Sequence, residues 1–286
     1  MNSMKAFTHT LIISLLLANL VIAGTKLSAA QDTNSNDGDT YSLKSDATDE
    51  STRKNLPDLH GIDIPSPLKD RPEQILSRKG YVTSYNKDTK LPNWVAWRLT
   101  AAHISGEARR PGNAWHEDTD VPMPRATYSD YKGSGWSRGH MCPAGDNKWD
   151  SDAMYETFLY TNCCPQNANL NSGTWNQIEI SCRRWAEKYG EVDIICGPLF
   201  FRQFQQTIGD NKVVVPNAFF KVIVCRSGGS PKGIGFICRN TDGNTKKDLY
   251  VNTIHEVERI TGITFFPHLP KALEDSVKNK ADLSDW

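Results

Sequence analysis

A chain of 286 residues can bury a sizeable core and has the length of one large domain or two small ones. Its 33 basic residues are matched by 33 acidic ones, giving zero formal net charge. That balance excludes a chain-wide basic surface, so any attraction for a polyanion has to come from a local groove.

Met1–Thr10 carries Lys5 and no acid, and Leu11–Ala23 is free of charge. The apolar run is short for a bilayer span and suits the core of a secretory signal peptide; an N-terminal membrane anchor is the competing reading. The pattern predicts a signal peptide over 1–30, with small residues for cleavage at Ala23 or Ala30, and export to a secreted or periplasmic location. No later segment is apolar enough to cross a membrane, so no stable span is expected after cleavage. Gln31–Arg53 is rich in Asp, Asn, Ser and Thr and cannot offset the entropy of ordering. A flexible polar linker is expected over 31–58, and one folded domain over 59–286.

Tyr81–Tyr85 and Asn93–Ala101 alternate around a turn at Asn86–Asp88 and predict a hairpin. Ile104–Tyr131 is a long polar loop carrying Arg109, Arg110 and Arg125, and a loop of that length is either functional or loosely ordered. A glycine-punctuated stretch, Gly133–Asp146, follows and contains His140. Next come a short helix over Ser151–Glu156, a strand over Thr157–Thr161, and a helix from Asn171 to its stop at Gly190. On that helix Ile178, Cys182, Trp185 and Tyr189 form one stripe, and Asn171, Trp175 and Glu179, spaced at four, share a neighbouring one. Glu191–Cys196, Lys212–Val215, Ala218–Cys225 and Gly233–Arg239 read as strands. Asn252–Thr261 reads as a helix closed by Gly262, with Phe265 and Phe266 in the core. Strands and helices out of strict alternation predict an α+β fold: a mixed, mainly antiparallel central sheet with flanking helices.

Seven cysteines occupy positions 142, 163, 164, 182, 196, 225 and 238. In an oxidising compartment some are expected to pair, and an odd count leaves at least one free or intermolecular. Cys225 and Cys238 flank the turn-rich Ser227–Gly233 and are candidates for a cross-strand bridge. No Cys/His spacing resembles a zinc site.

Chemistry concentrates between Gly135 and Glu179. Arg138 and His140 fall on one side of a strand, and Gly139 between them allows close approach of a ligand. An imidazole can take a proton from water near neutrality, and a guanidinium matches phosphate oxygens with two parallel hydrogen bonds. Asn162 and Asn171 are turn or cap residues, with Asn171 as a helix N-cap, or else carboxamide donors to a hard cation. Glu179 is either an exposed helix carboxylate or the acceptor for a metal-bound water.

Ser137-Arg138-Gly139-His140, Thr161-Asn162-Cys163-Cys164-Pro165-Gln166, Leu170-Asn171, and Trp175 followed four residues later by Glu179 together resemble the DNA/RNA non-specific endonuclease family. That family's ββα-metal (His-Me finger) motif is marked by D-R-G-H, S-N-x-x-P-Q, L-N and W-x-x-x-E. The likeness runs from about Tyr81 to Pro267. It implies a sugar-non-specific endonuclease that hydrolyses phosphodiester bonds of DNA and RNA through phosphate contacts, using one hydrated Mg2+ or another divalent ion such as Mn2+. By resemblance His140 is the general base and Asn171 the sole protein ligand of the metal. Glu179 anchors the metal's water shell, Asn162 forms the site beside the histidine, and Arg138 positions phosphate. A further transition-state arginine falls on Arg109 or Arg110, with Arg110 preferred. Ser137 departs from the family aspartate, which points to reduced or shifted activity. That departure also motivates the alternative of a catalytically weakened nucleic-acid-binding protein of the same fold. A disulfide-braced surface protein is the third class. Trp136, Trp149 and Trp175 are candidates for base stacking or for core packing.

Overall fold

Eleven short runs, the central ones rich in Val, Ile and Phe, form the strands of the computed structural model, which describes residues 61–201, 205–227 and 230–286. The expected signal peptide (1–30) and linker (31–58) lie outside the described residues. Within the unit Asp46–Trp286, seven strands make one sheet: β1 (Gln74–Ser77), β2 (Val82–Asn86), β3 (Leu91–Thr100), β6 (Glu191–Leu199), β9 (Ala218–Cys225), β10 (Lys232–Arg239) and β11 (Val251–Asn252). They lie in the order β1-β2-β3-β6-β9-β10-β11, every neighbouring pair antiparallel. Two small ribbons stand apart, β4 (Ser137–His140) with β5 (Cys163–Gln166), and β7 (Thr207–Ile208) with β8 (Val213–Val214).

The central strands read as unbroken apolar runs because both sheet faces are covered. Along β9, Phe219, Ile223 and Cys225 point to one layer, which contains Trp175, Ile178, Cys182 and Trp185. Phe220, Val222 and Val224 point to the other, which contains Ile254, Val257, Phe265 and Val277. Four helices of six or more residues flank the sheet: α1 (Ser151–Glu156), α2 (Asn176–Tyr189), α3 (Ile254–Thr261) and α4 (Lys271–Lys278). Asp150 caps α1 by accepting from two backbone amides, and Thr253 caps α3. Gly262 closes α3 in the left-handed region, as a glycine there can without strain.

The hairpin, the short helix at Ser151–Glu156 and the strands β6, β9 and β10 form where the sequence pattern places them. The paired strands are wholly antiparallel rather than mixed. The strand expected over Thr157–Thr161 does not form. Thr157 Oγ1 donates to Met154 O at 2.7 Å, finishing α1, and a 3-10 turn at Tyr160–Asn162 precedes β5. The expected disulfides are also corrected, since all seven cysteines are free and buried. Cys225 pairs in register with Lys232, and Cys238 with Phe219, so the proposed cross-strand partners sit at opposite ends of the β9–β10 ladder.

The long loop is tied down by its own backbone. His116 N donates to Phe158 O and Tyr160 N to His116 O, both at 3.2 Å, while Ala108 N donates to Lys148 O. This ties Ala108 to Lys148 and lays His116 against Phe158–Tyr160, a few residues ahead of β5.

Candidate active site

Register carries the first half of the site. In the β4–β5 ribbon Ser137 faces Gln166, Arg138 faces Pro165, Gly139 faces Cys164, and His140 faces Cys163. Gly139 has a different task from the one expected of it. A Cβ there would run into the buried Gln166 side chain, so the glycine closes the ribbon and does not open it to a ligand.

His140 is held by rings. Trp115 lies 4.5 Å from it and Phe158 meets it edge-on at 4.9 Å. Its Nε2 is buried without a hydrogen-bond partner, which leaves Nδ1 as the nitrogen open to act. Burial, with the nearby Arg110 guanidinium adding to it, lowers the imidazole pKa from 6.5 to about 3. The ring is therefore neutral, with a lone pair to offer, across the physiological range.

Two arginines flank this imidazole. Arg110 sits over the Phe158 ring at 4.9 Å, which places it, and not Arg109, in the aromatic cluster around His140. Arg138 lies over Trp115 at 5.5 Å and Tyr128 at 5.6 Å. Neither pairs with an acid among the described residues, whereas Arg125 of the same loop is bound to Glu117 at 2.9 Å. Local positive charge exists after all, in a chain whose total is zero.

Asn162 is fully buried and committed to backbone. Its Oδ1 accepts from Cys142 N at 2.9 Å, and its Nδ2 donates to Cys142 O and Thr157 O, each at 2.8 Å. It staples the segment just after His140, with both ends of its carboxamide engaged by backbone.

The chain leaves β5 through Asn167, and here the expected N-cap is corrected. Asn167, not Asn171, accepts from the amides of Asn169 and Leu170. Asn171 opens a π-turn over Asn171–Trp175, in which Gly173 departs from helical geometry (φ −101°, ψ −107°), before α2 begins. The turn breaks the four-residue register: Trp175 is buried entirely, while Asn171 and Glu179 are only partly buried. Single-turn π-bulges inside helices are frequent at functional sites. The Asn171 carboxamide makes no hydrogen bond among the described residues and is free to ligate. Glu179 has its carboxyl pushed up to about 7 by burial, opposed by the charge of Lys221.

The donor set fits a particular kind of ion. Among the described residues no group of three or more His, Cys, Asp or Glu is placed to hold a metal. A carboxamide without a hydrogen bond among the described residues and a carboxylate farther along the helix are oxygen donors of the kind hard divalent cations accept.

Of the three tryptophans considered for stacking, Trp175 is core and Trp136 packs against the core from its edge. Trp149 is exposed and stacks on His103 at 5.1 Å. Trp115 and Lys221 were missed by sequence reading. Nothing marks Trp115, but Lys221 carried a signal, a charge inside the apolar run AFFKVIVC.

The model of the DNA/RNA non-specific endonuclease family matches residues 64–272. Human mitochondrial nuclease EXOG is 35% identical over 207 residues, covering 67% of this chain and 56% of its own length. Bovine mitochondrial endonuclease G is 33% identical, covering 68% of this chain and 70% of its own. Nuclease C1 of Cunninghamella echinulata var. echinulata is 36% identical, covering 68% and 83%. The chain thus spans little more than half the length of the EXOG relatives it matches. The crystal structure of an EndoG/EndoGI complex superposes with a TM-score of 0.68 at 28% identity, covering 73% of this chain and 92% of that one. The expectation of a secreted or periplasmic location is overturned here, because these EXOG and endonuclease G relatives are mitochondrial nucleases and not secreted proteins. With the family model matching most of its length, the chain belongs to the DNA/RNA non-specific endonuclease family.

Proposed function

We propose that this chain is a sugar-non-specific endonuclease that hydrolyses phosphodiester bonds of DNA and RNA with one hydrated Mg2+ ion. The observation that carries the reading is the neutral, unpaired imidazole of His140, set among aromatic rings with the guanidiniums of Arg110 and Arg138 beside it.

The two arginines clamp the oxygens of one phosphate, two of which each planar guanidinium fork can meet with parallel hydrogen bonds. His140, through Nδ1, takes a proton from the water that attacks phosphorus in line. Asn162 keeps the imidazole aimed by fixing the backbone on either side of Cys142. Asn171 would hold the cation through its carboxamide oxygen, and Glu179 would hold the cation's waters. When bound, the ion supplies positive charge at the departing 3′ oxygen. A second water gives the departing oxygen its proton, so the products carry 5′-phosphate and 3′-hydroxyl ends. Recognition through phosphate and sugar carries no sequence information, so cleavage is non-specific and weakens with salt.

The test is a digest of supercoiled plasmid and of RNA, each with Mg2+ and with chelator. Both substrates should be degraded with Mg2+ only, and His140→Ala should abolish the degradation. Intact substrate in every lane, together with retained binding in a gel shift, would instead make the chain a nucleic-acid-binding protein without catalysis.

A further inference from the structure

The least expected side chain in the molecule is Lys221. It sits in the middle of β9 at a position facing the α2 layer, where its neighbours on the same face are Phe219 and Ile223. It is 0% exposed, and its Nζ makes no hydrogen bond among the described residues. Two indole faces receive it instead, Trp175 at 4.6 Å and Trp97 at 4.8 Å. An ammonium withdrawn from water without hydrogen bonds is costly, and attraction to aromatic faces recovers only part of that cost. A methionine of similar reach would fill this space at less expense. Lys221 therefore reads as a charge kept for what it does to its surroundings.

Those surroundings are the supports of the candidate site. Trp175 ends the π-turn that starts at Asn171 and leads into the helix bearing Glu179. The Trp97 indole donates to Asp146 Oδ2 at 3.1 Å, and Asp146 Oδ1 accepts from Arg183 Nη1 at 2.9 Å. On the same side of the sheet the buried Cys196 thiol donates to Met141 O at 3.3 Å, next in sequence to His140.

We propose that Lys221 is a positioning residue. Its ammonium fixes the Trp175 ring, and with it the Asn171–Trp175 turn that presents the Asn171 carboxamide to a divalent cation.

The inference rests on reading Asn171 and Glu179 as the cation site, and the experiment separates the two ideas. Mg2+ binding is measured by calorimetry, and the melting temperature in chelator, on the full chain and on Lys221→Met. The variant should melt at or above the wild-type temperature, because a buried charge has been replaced by an apolar chain of similar volume. It should bind Mg2+ about tenfold more weakly, the scale of an outer-shell support. In an Asn171→Ala background the same substitution should change the residual Mg2+ affinity less than in the wild type, since the ligand it positions is gone.

Wild-type affinity in Lys221→Met would overturn the role of Lys221 and leave the cation site standing. A lower melting temperature, or failure to fold, would make Lys221 a core residue. An undiminished effect in the Asn171→Ala background would sever it from Asn171. A wild-type chain that binds no Mg2+ would remove the cation site and the role together.

Discussion

The two faces of the seven-stranded sheet are packed on opposite terms. Against α3 and α4 lie Phe220, Val222, Val224, Val257 and Phe265, and the one lysine buried on that side, Lys278, is fully engaged, its Nζ donating to Glu258 Oε1 and to Phe265 O, each at 2.7 Å. Against α2 lie tryptophans and thiols, and set into the same layer are the buried ions Lys221 and Asp146. The first face holds the fold together by burying surface. The second gives up some of that stability to hold charges in a dry place, where electrostatic interactions are stronger than in water.

The contrast can be broken most forcefully at His140. Alanine there should lower the hydrolysis rate on the order of 10²–10⁴-fold or more, the usual share of a general base, with little change in melting temperature. A pair of digests and melts on the two proteins settles it, and a rate within threefold of wild type would remove His140 from the chemistry.

The opposite result is expected on the other face. Phe265 is fully buried, with its ring 5.3 Å from Phe220. Phe265→Ala should cost about 3–5 kcal/mol in denaturant unfolding while the folded fraction keeps its kcat/KM. Loss of activity without loss of stability would mean that the division between faces is false.

pH sharpens the comparison within the site layer. Because His140 titrates near 3 in the fold, kcat/KM should show no inflection near 6.5 from this residue. Its effect on stability has a definite sign. The unfolded chain binds the proton below 6.5 and the fold does not, so this contribution is complete above 6.5 and is lost as pH falls towards 3. Glu179, raised from 4.5 to about 7, acts in reverse: its contribution is complete below 4.5 and is lost as pH rises through 7. In chelator, Glu179→Gln should therefore gain on the wild type in melting temperature between pH 5 and pH 8. A gap that narrows over that range would contradict the burial of this carboxyl.

The smallest expected effect is none. With seven free thiols, reductant should leave the melting temperature unchanged, whereas one native disulfide would contribute about 2–5 kcal/mol.

Much of the frame was legible because its signals are local. The apolar runs of β6, β9 and β10 and the glycines at 190 and 262 place their elements to within a residue or two, apart from the longer reach of β6. Arg138 and His140 were legible for the same reason, two residues apart on one strand. What failed depends on contacts between distant parts of the chain. Asn167 and Asn171 are equally good caps on paper, and only the π-turn decides which side chain stays free. Arg109 and Arg110 are told apart by Phe158, almost fifty positions later. The role of Lys221 requires two tryptophans from different elements to close over it.

The strand pair that carries Arg138 and His140 shares no ladder with the main sheet. Short, isolated pairings open more readily than central strands, so amide exchange should be quicker at 137–140 than along β9. For the nuclease proposed above, such compliance would suit a blade that meets both A-form and B-form helices, whose groove widths differ: the cutting edge could tilt while the seven-stranded anvil behind it stays rigid.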